Sequence, residues 1–205
     1  MEYARIVVTI SLMGLLVSCQ DQPESQTNQR RIPMDKMDPR SVVLIETSMG
    51  TIKAELWADK APLTVANFLN YVDKGFYDGL IFHRVIDGFM IQGGGFAPNM
   101  QHKPTGSPIK NEASSEVPNK RGTLAMARTS DINSATSGFY INLVDNVFLN
   151  HKSNKPEEFG YCVFGKVLEG LDVVDAIGKV KIKTLGNYDD VPIENVTINN
   201  ISRAK

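Results

Sequence analysis

Phe82-His83-Arg84-Val85-Ile86-Asp87-Gly88-Phe89-Met90-Ile91-Gln92-Gly93-Gly94-Gly95-Phe96 is the most informative stretch of this 205-residue chain. Its apolar, β-prone runs predict short strands at Leu80–Arg84 and Met90–Gln92. Three consecutive glycines invite comparison with a phosphate loop, but no Lys-Ser/Thr pair follows and no helix signal begins there. They are expected to form a tight turn or bulge where backbone approaches backbone. Taken singly, Arg84 reads as a surface ion-pair member, Phe89 and Met90 as core, and Gln92 as a strand-edge polar residue.

Outward from this stretch the same short period continues. Val42–Thr47 and Thr51–Leu56 are rich in β-branched residues and flank Ser48-Met49-Gly50, a hairpin signal; Ile52, Ala54 and Leu56 alternate with Lys53 and Glu55. Further strands are expected at Thr123–Ala127, Phe139–Asn142, Cys162–Val167 and Val196–Ile201. Two segments change period. Ala61–Asp73 has Pro62 in its first turn, Val65, Phe68, Leu69 and Val72 at helical spacing, and Gly75 beyond its end. Leu171–Ile177 is bounded by Gly170 and Gly178. Many short strands with only two helices predict an antiparallel barrel or sandwich, and in a closed barrel the helices would plug the open ends.

Composition narrows the chemistry. Lysine and arginine total 22 against 23 acidic residues, a formal net charge of −1, which lacks the basic excess of a nucleic-acid binder. Two cysteines cannot build a disulfide framework or a four-cysteine zinc site. The three histidines, His83, His102 and His151, show no close ligand spacing, and no G-x-S-x-G elbow is present. No metal and no cofactor are called for.

The opening stretch resembles the signature of the cyclophilin family of peptidyl-prolyl isomerases. The resemblance continues through Gly122–Arg128, Phe139–Asn142 and Val163–Val167, and covers nearly everything from 41 to the end. Asn111-Glu112-Ala113 and Ala127-Arg128-Thr129 are similar to the exported bacterial branch. The family fold this implies is mainly β, a closed eight-stranded antiparallel barrel capped by two α-helices. The implied site is a groove on the barrel's outer face, with Arg84 as the catalytic arginine and Gln92 beside it. Phe89, Met90, Tyr140 and Leu149 would form the proline pocket, and Ala127, Arg128 and Thr129 the backbone rim. Phe148 stands where many members have tryptophan, and Tyr161 where histidine is frequent. The implied partners are proline-containing polypeptides, bound by a monomer.

Two departures from the family pattern bear on the site. Tyr140 replaces a usual phenylalanine, so a hydroxyl enters the floor of an apolar pocket at a desolvation cost of roughly 1–3 kcal/mol unless it finds a partner. Gly138 replaces a usual glutamine. These changes motivate a second reading, a module that grips proline segments with weak or no turnover.

The N-terminus carries its own message. Arg5 precedes an apolar run, Ile6–Val17, about 18 Å long as a helix and too short to cross a hydrocarbon core of about 30 Å. It reads as a secretory signal over 1–18. Leu16-Val17-Ser18-Cys19 resembles a bacterial lipobox, which implies lipid attachment at Cys19 and a membrane-anchored protein of the bacterial cell envelope; ordinary cleavage or an uncleaved anchor are the alternatives. Residues 19–40, rich in Gln, Asp, Arg, Asn and Pro, read as a flexible linker, with the isomerase domain at 41–205. Cys162, flanked by Tyr161, Val163 and Phe164, reads as a buried thiol acting as a small hydrophobe.

Overall fold

The computed structural model describes residues 41–204; the expected signal peptide at 1–18, lipidation at Cys19 and the linker at 19–40 lie outside the described residues. β1 (Val42–Thr47) and β2 (Gly50–Leu56) pair as a hairpin in which Thr47 opposes Gly50. The second strand starts one residue earlier than its β-branched run, because Gly50 takes φ +134°, which its missing Cβ permits, and Thr47 Oγ1 donates to its carbonyl at 2.7 Å. α1 (Pro62–Asp73) follows, then β3 (Leu80–Ile86), β4 (Met90–Gly93), β5 (Thr123–Met126), β6 (Phe139–Asn142) and β7 (Val163–Glu169). α2 (Leu171–Gly178), β8 (Ile182–Leu185), β9 (Tyr188–Pro192) and β10 (Thr197–Arg203) complete the described chain.

Eight strands close into one antiparallel barrel in the order β1-β10-β3-β4-β6-β5-β7-β2. The closed alternative is therefore the one realised, with no free edge on the main sheet. Every second side chain points inward, and Ile45, Ile52, Phe82, Ile91, Leu124, Phe139 and Phe164 are fully buried. Both helices pack into that core through Val65, Phe68, Leu69 and Val72 of α1 and Val174 and Ile177 of α2. α1 has no capping side chain of its own. Glu112, distant in sequence, accepts from the Leu63 and Thr64 N–H groups at 3.1 and 2.8 Å and so satisfies its first turn.

Two strands escaped the sequence reading. β8 and β9 form a separate hairpin that lies alongside β3. Every residue of β8 is exposed, so neither face carries the apolar alternation by which strands are recognised.

One irregularity in β3 governs everything that follows. Phe82 opposes Gly93 and Arg84 opposes Gln92, so β3 fits two steps against one step of β4 and His83 is the extra residue of a β-bulge. In an unbroken strand Phe82 and Arg84 would share a face. Here Phe82 enters the core and Arg84 turns outward, 44% exposed, while Val85 returns to the core. His83 belongs to neither row: its ring lies 4.4 Å from that of Phe96, and among the described residues its buried Nδ1 has no hydrogen-bond partner.

Burial, together with the charges of Arg84 and His102, lowers the His83 pKa from 6.5 to about 4. The unfolded chain therefore takes up a proton that the folded chain refuses. Stability is unaffected above about pH 6.5 and falls between there and about pH 4, by up to about 3 kcal/mol. Urea denaturation across pH 4–7 is expected to show this acid limb in the wild type and a flatter one in His83→Gln.

Candidate active site

The bulge aligns a row of side chains across five strands. Arg84 on β3 opposes Gln92 on β4, Gln92 opposes Tyr140 on β6, Tyr140 opposes Ala125 on β5, and Ala125 opposes Val163 on β7. Neighbours in such a row lie about 5 Å apart, so the guanidinium stands two places from the tyrosine ring. Met90, Ala125, Tyr140 and Val163 are buried in a second apolar cluster, separate from the barrel core, against which Phe89, Ala127, Leu149 and Tyr161 pack. A cation and an amide thus border an apolar floor on the outside of the barrel.

The residues expected from the sequence fall around this floor. Phe89 follows the turn closed by its N–H to the Ile86 carbonyl (3.1 Å), with Gly88 at φ +67°. Its ring lies 5.5 Å from that of Phe148, which sits 65% exposed in a short 3-10 turn, Val147–Leu149. Tyr161 meets the edge of Tyr140 at 6.0 Å, and the Arg128 guanidinium lies 4.5 Å above the Tyr161 ring. Arg128 also donates from Nε to the Gly160 carbonyl at 3.1 Å, which ties the rim to the loop beyond the 3-10 turn. The Ala127 N–H is taken by the Gly138 carbonyl and the Thr129 N–H by Ser134 Oγ, both at 2.9 Å. Among the described residues the Arg128 N–H has no such partner, so of these three rim groups it is the one whose donor is not taken. Thr129 lies farther out, its hydroxyl donating to Ser134.

Gly138 leaves space beside this rim. A Cβ there would meet Ala127 Cβ at 3.5 Å, an ordinary contact, so the missing side chain is not demanded by crowding.

The Tyr140 hydroxyl does find a partner. It donates to Asn119 Oδ1 at 2.7 Å in a buried hydrogen bond. Burial, with Tyr161 nearby, raises its pKa well above 10, so it remains a neutral donor at physiological pH. Asn119, 1% exposed, also donates from Nδ2 to the carbonyls of Leu149 (3.1 Å) and Tyr161 (3.5 Å). Asn142 Nδ2 reaches Asn119 Oδ1 at 3.3 Å, and Asn146 Nδ2 reaches Asn142 Oδ1 at 2.7 Å and the Phe89 carbonyl at 2.9 Å. Four pocket residues, Phe89, Tyr140, Leu149 and Tyr161, are thereby tied to one asparagine lattice.

That lattice was invisible in the sequence. Asn119, between Pro118 and Lys120, looks like any polar loop residue. The thiol of Cys162 is buried against Thr64 Oγ1 (3.4 Å), with its pKa raised to about 11 by burial, so it stays protonated and inert. Among the described residues no group of three His, Cys, Asp or Glu side chains is placed to hold a metal ion.

Comparison with known proteins places the chain in a family. The family model described as "Cyclophilin type peptidyl-prolyl cis-trans isomerase/CLD" matches residues 42–203. The chain is 56% identical over 158 residues to peptidyl-prolyl cis-trans isomerase cyp18 of Streptomyces antibioticus, covering 77% of this chain and 95% of that one. It is 52% identical over 161 residues to peptidyl-prolyl cis-trans isomerase B of Escherichia coli strain K12, covering 78% and 98%. A crystal structure of a cyclophilin-type isomerase from Cryptosporidium parvum superposes with a TM-score of 0.70 at 28% identity, over 81% of this chain and 98% of that one. The chain belongs to the cyclophilin-type peptidyl-prolyl cis-trans isomerases and is an enzyme of that class.

Because the Tyr140 hydroxyl points into the lattice, Tyr140→Phe is expected to cost about 1 kcal/mol of stability in urea denaturation, the worth of one buried hydrogen bond. Isomerase kcat/KM should stay within about twofold of wild type, since the apolar surface of the floor is unchanged.

Proposed function

We propose that this isomerase binds proline in the recess formed by Phe89, Met90, Tyr140 and Leu149, with Arg84 as the catalytic donor and Gln92 orienting it or the substrate carbonyl. The observation that carries this reading is the cross-strand row from Arg84 through Gln92 to Tyr140, which sets a permanent cation at the margin of an apolar floor. Ala127, Arg128 and Thr129 would receive the substrate backbone, with Phe148 and Tyr161 walling the recess.

The chemistry follows from the amide. Rotation about an X–Pro bond must break resonance, against a barrier of about 20 kcal/mol, and takes tens of seconds unaided. As the bond twists, the prolyl nitrogen pyramidalises and regains a lone pair. A guanidinium can donate to that lone pair and stays charged at any working pH. The planar ground-state nitrogen is a poor acceptor, so the interaction is felt chiefly in the transition state, as acceleration requires. A rate gain of about 10⁵ needs near 7 kcal/mol. One charge-assisted hydrogen bond supplies about 1.5–3 kcal/mol, so the recess must contribute the rest by fixing the ring while the preceding carbonyl swings. No covalent intermediate enters this scheme.

The reading of a binder without turnover rested partly on a hydroxyl exposed in the pocket floor. The Tyr140–Asn119 bond removes that ground. The groove is complete within one chain, which supports a monomeric enzyme. The lipobox-like Leu16-Val17-Ser18-Cys19 and the polar stretch after it support an exported protein held on a bacterial membrane by acyl chains, isomerising X–Pro bonds of envelope proteins as they fold.

In a protease-coupled assay on a prolyl tetrapeptide, Arg84→Lys is expected to lower kcat by about 10²-fold with little change in KM, because an ammonium lacks the guanidinium fork. Equal rates would remove Arg84 from its role. Separately, Cys19→Ser is expected to move the protein from the membrane pellet to the soluble envelope fraction on ultracentrifugation; undiminished pelleting would rule out lipid attachment.

A further inference from the structure

We propose that Asp190, on the β8–β9 hairpin, is a positioning residue that orients the Arg84 guanidinium toward the groove. The inference rests on the reading of Arg84 as the donor to the prolyl nitrogen. Asp190 Oδ2 lies 3.4 Å from Arg84 Nε, and among the described residues Arg84 has no other hydrogen-bond or ion-pair partner. Nε is the inner nitrogen of the fork. Held there, the guanidinium keeps both terminal Nη groups available while its plane and direction are restrained.

The base of the hairpin is packed, with Val191 2% exposed, while Tyr188 and Asp189 toward its turn are exposed. A recess of about 260 Å³ lies between that exposed end and β3, lined by His83, Arg84, Phe96, Asn187, Tyr188 and Asp189. The ring contact of Tyr188 with Phe96, at 5.4 Å, spans that gap. The rotamer-rich arginine stem therefore stands beside open space rather than a packed wall, and the carboxylate supplies the restraint that packing does not. With Arg84 44% and Asp190 27% exposed, the pair is screened and releases the guanidinium at little cost, so it guides without sequestering.

The backbone of Asp190 points the same way. Its φ is +61°, in the left-handed region where glycine is unstrained and aspartate is only tolerated. Adjacent Asp189 accepts from Thr184 Oγ1 at 2.8 Å and ties the hairpin to itself, whereas Asp190 crosses to β3. An acid occupies a position that suits glycine, and its carboxylate ends on the arginine of the site.

Asp190→Gly is the clean test, because it deletes the carboxylate while relieving the backbone. In the full-length protein it is expected to lower kcat about three- to tenfold at unchanged KM and unchanged melting temperature. The Arg84 Nε–H proton resonance, slowed in exchange in the wild type, should be lost. Asp190→Asn, which tolerates the left-handed backbone and still accepts from Nε, should retain at least about half of kcat. In an Arg84→Lys background the effect of Asp190→Gly should shrink below about twofold, because lysine has no Nε. Wild-type or faster turnover by Asp190→Gly, a loss confined to KM, or an undiminished loss in the lysine background would each overturn the proposal. Full turnover by Arg84→Lys alone would instead remove the role given to Arg84, and the Nε–H resonance would still report whether Asp190 orients that side chain.

Discussion

Between Phe82 and Arg84 the third strand carries one residue more than the strand it faces, and that surplus sets the polarity of the whole groove. Strand geometry sends alternate side chains to opposite faces, so without His83 out of step the arginine would follow Phe82 into the barrel. A buried unpaired guanidinium is intolerable, and the fold would either reject it or reposition the strand. With the bulge, Phe82 and Val85 fill the core while Arg84 and Ile86 face out. The cost of the arrangement is carried by His83, whose ring is buried neutral and whose Nδ1 has no partner among the described residues.

The apolar floor beside Arg84 raises a second physical problem. On the proposed reading a recess that holds a proline ring in one orientation cannot be soft, yet its walls come from a strand turn, a 3-10 turn and the segment leading into β7. The asparagines beneath it solve this. Asn119, Asn142 and Asn146 bond to the backbone carbonyls of Phe89, Leu149 and Tyr161 and to the hydroxyl of Tyr140, so four segments share one anchor. In a buried setting such a lattice rigidifies when each group is satisfied, and here the tyrosine that departs from the family pattern supplies one of its donors.

Much of the barrel was readable along the chain. The period-two run of β2, the short apolar run of β7 and the 3.6-residue period of α1 located their elements to within a residue or two, because each buries apolar side chains in the core. The β8–β9 hairpin was not readable, since all of β8 meets solvent and its alternation carries no hydrophobic signal. Among site residues, the spaced string from Phe82 to Phe96 announced Arg84, Phe89, Met90 and Gln92 together. Asn119 and Asp190 gave no local sign, because the contacts that single them out are made with partners 21 and 106 residues away.

By itself the sequence determined the class of fold, the presence of two helices, the family and the residue types gathered in the groove, since these depend on local periodicity and on a contiguous motif. Only the tertiary structure decided which face Arg84 occupies, where the Tyr140 hydroxyl points and which acid meets the guanidinium. Those depend on register between strands and on contacts across the barrel wall, and a single extra residue or a distant hairpin changes them without altering the pattern along the chain.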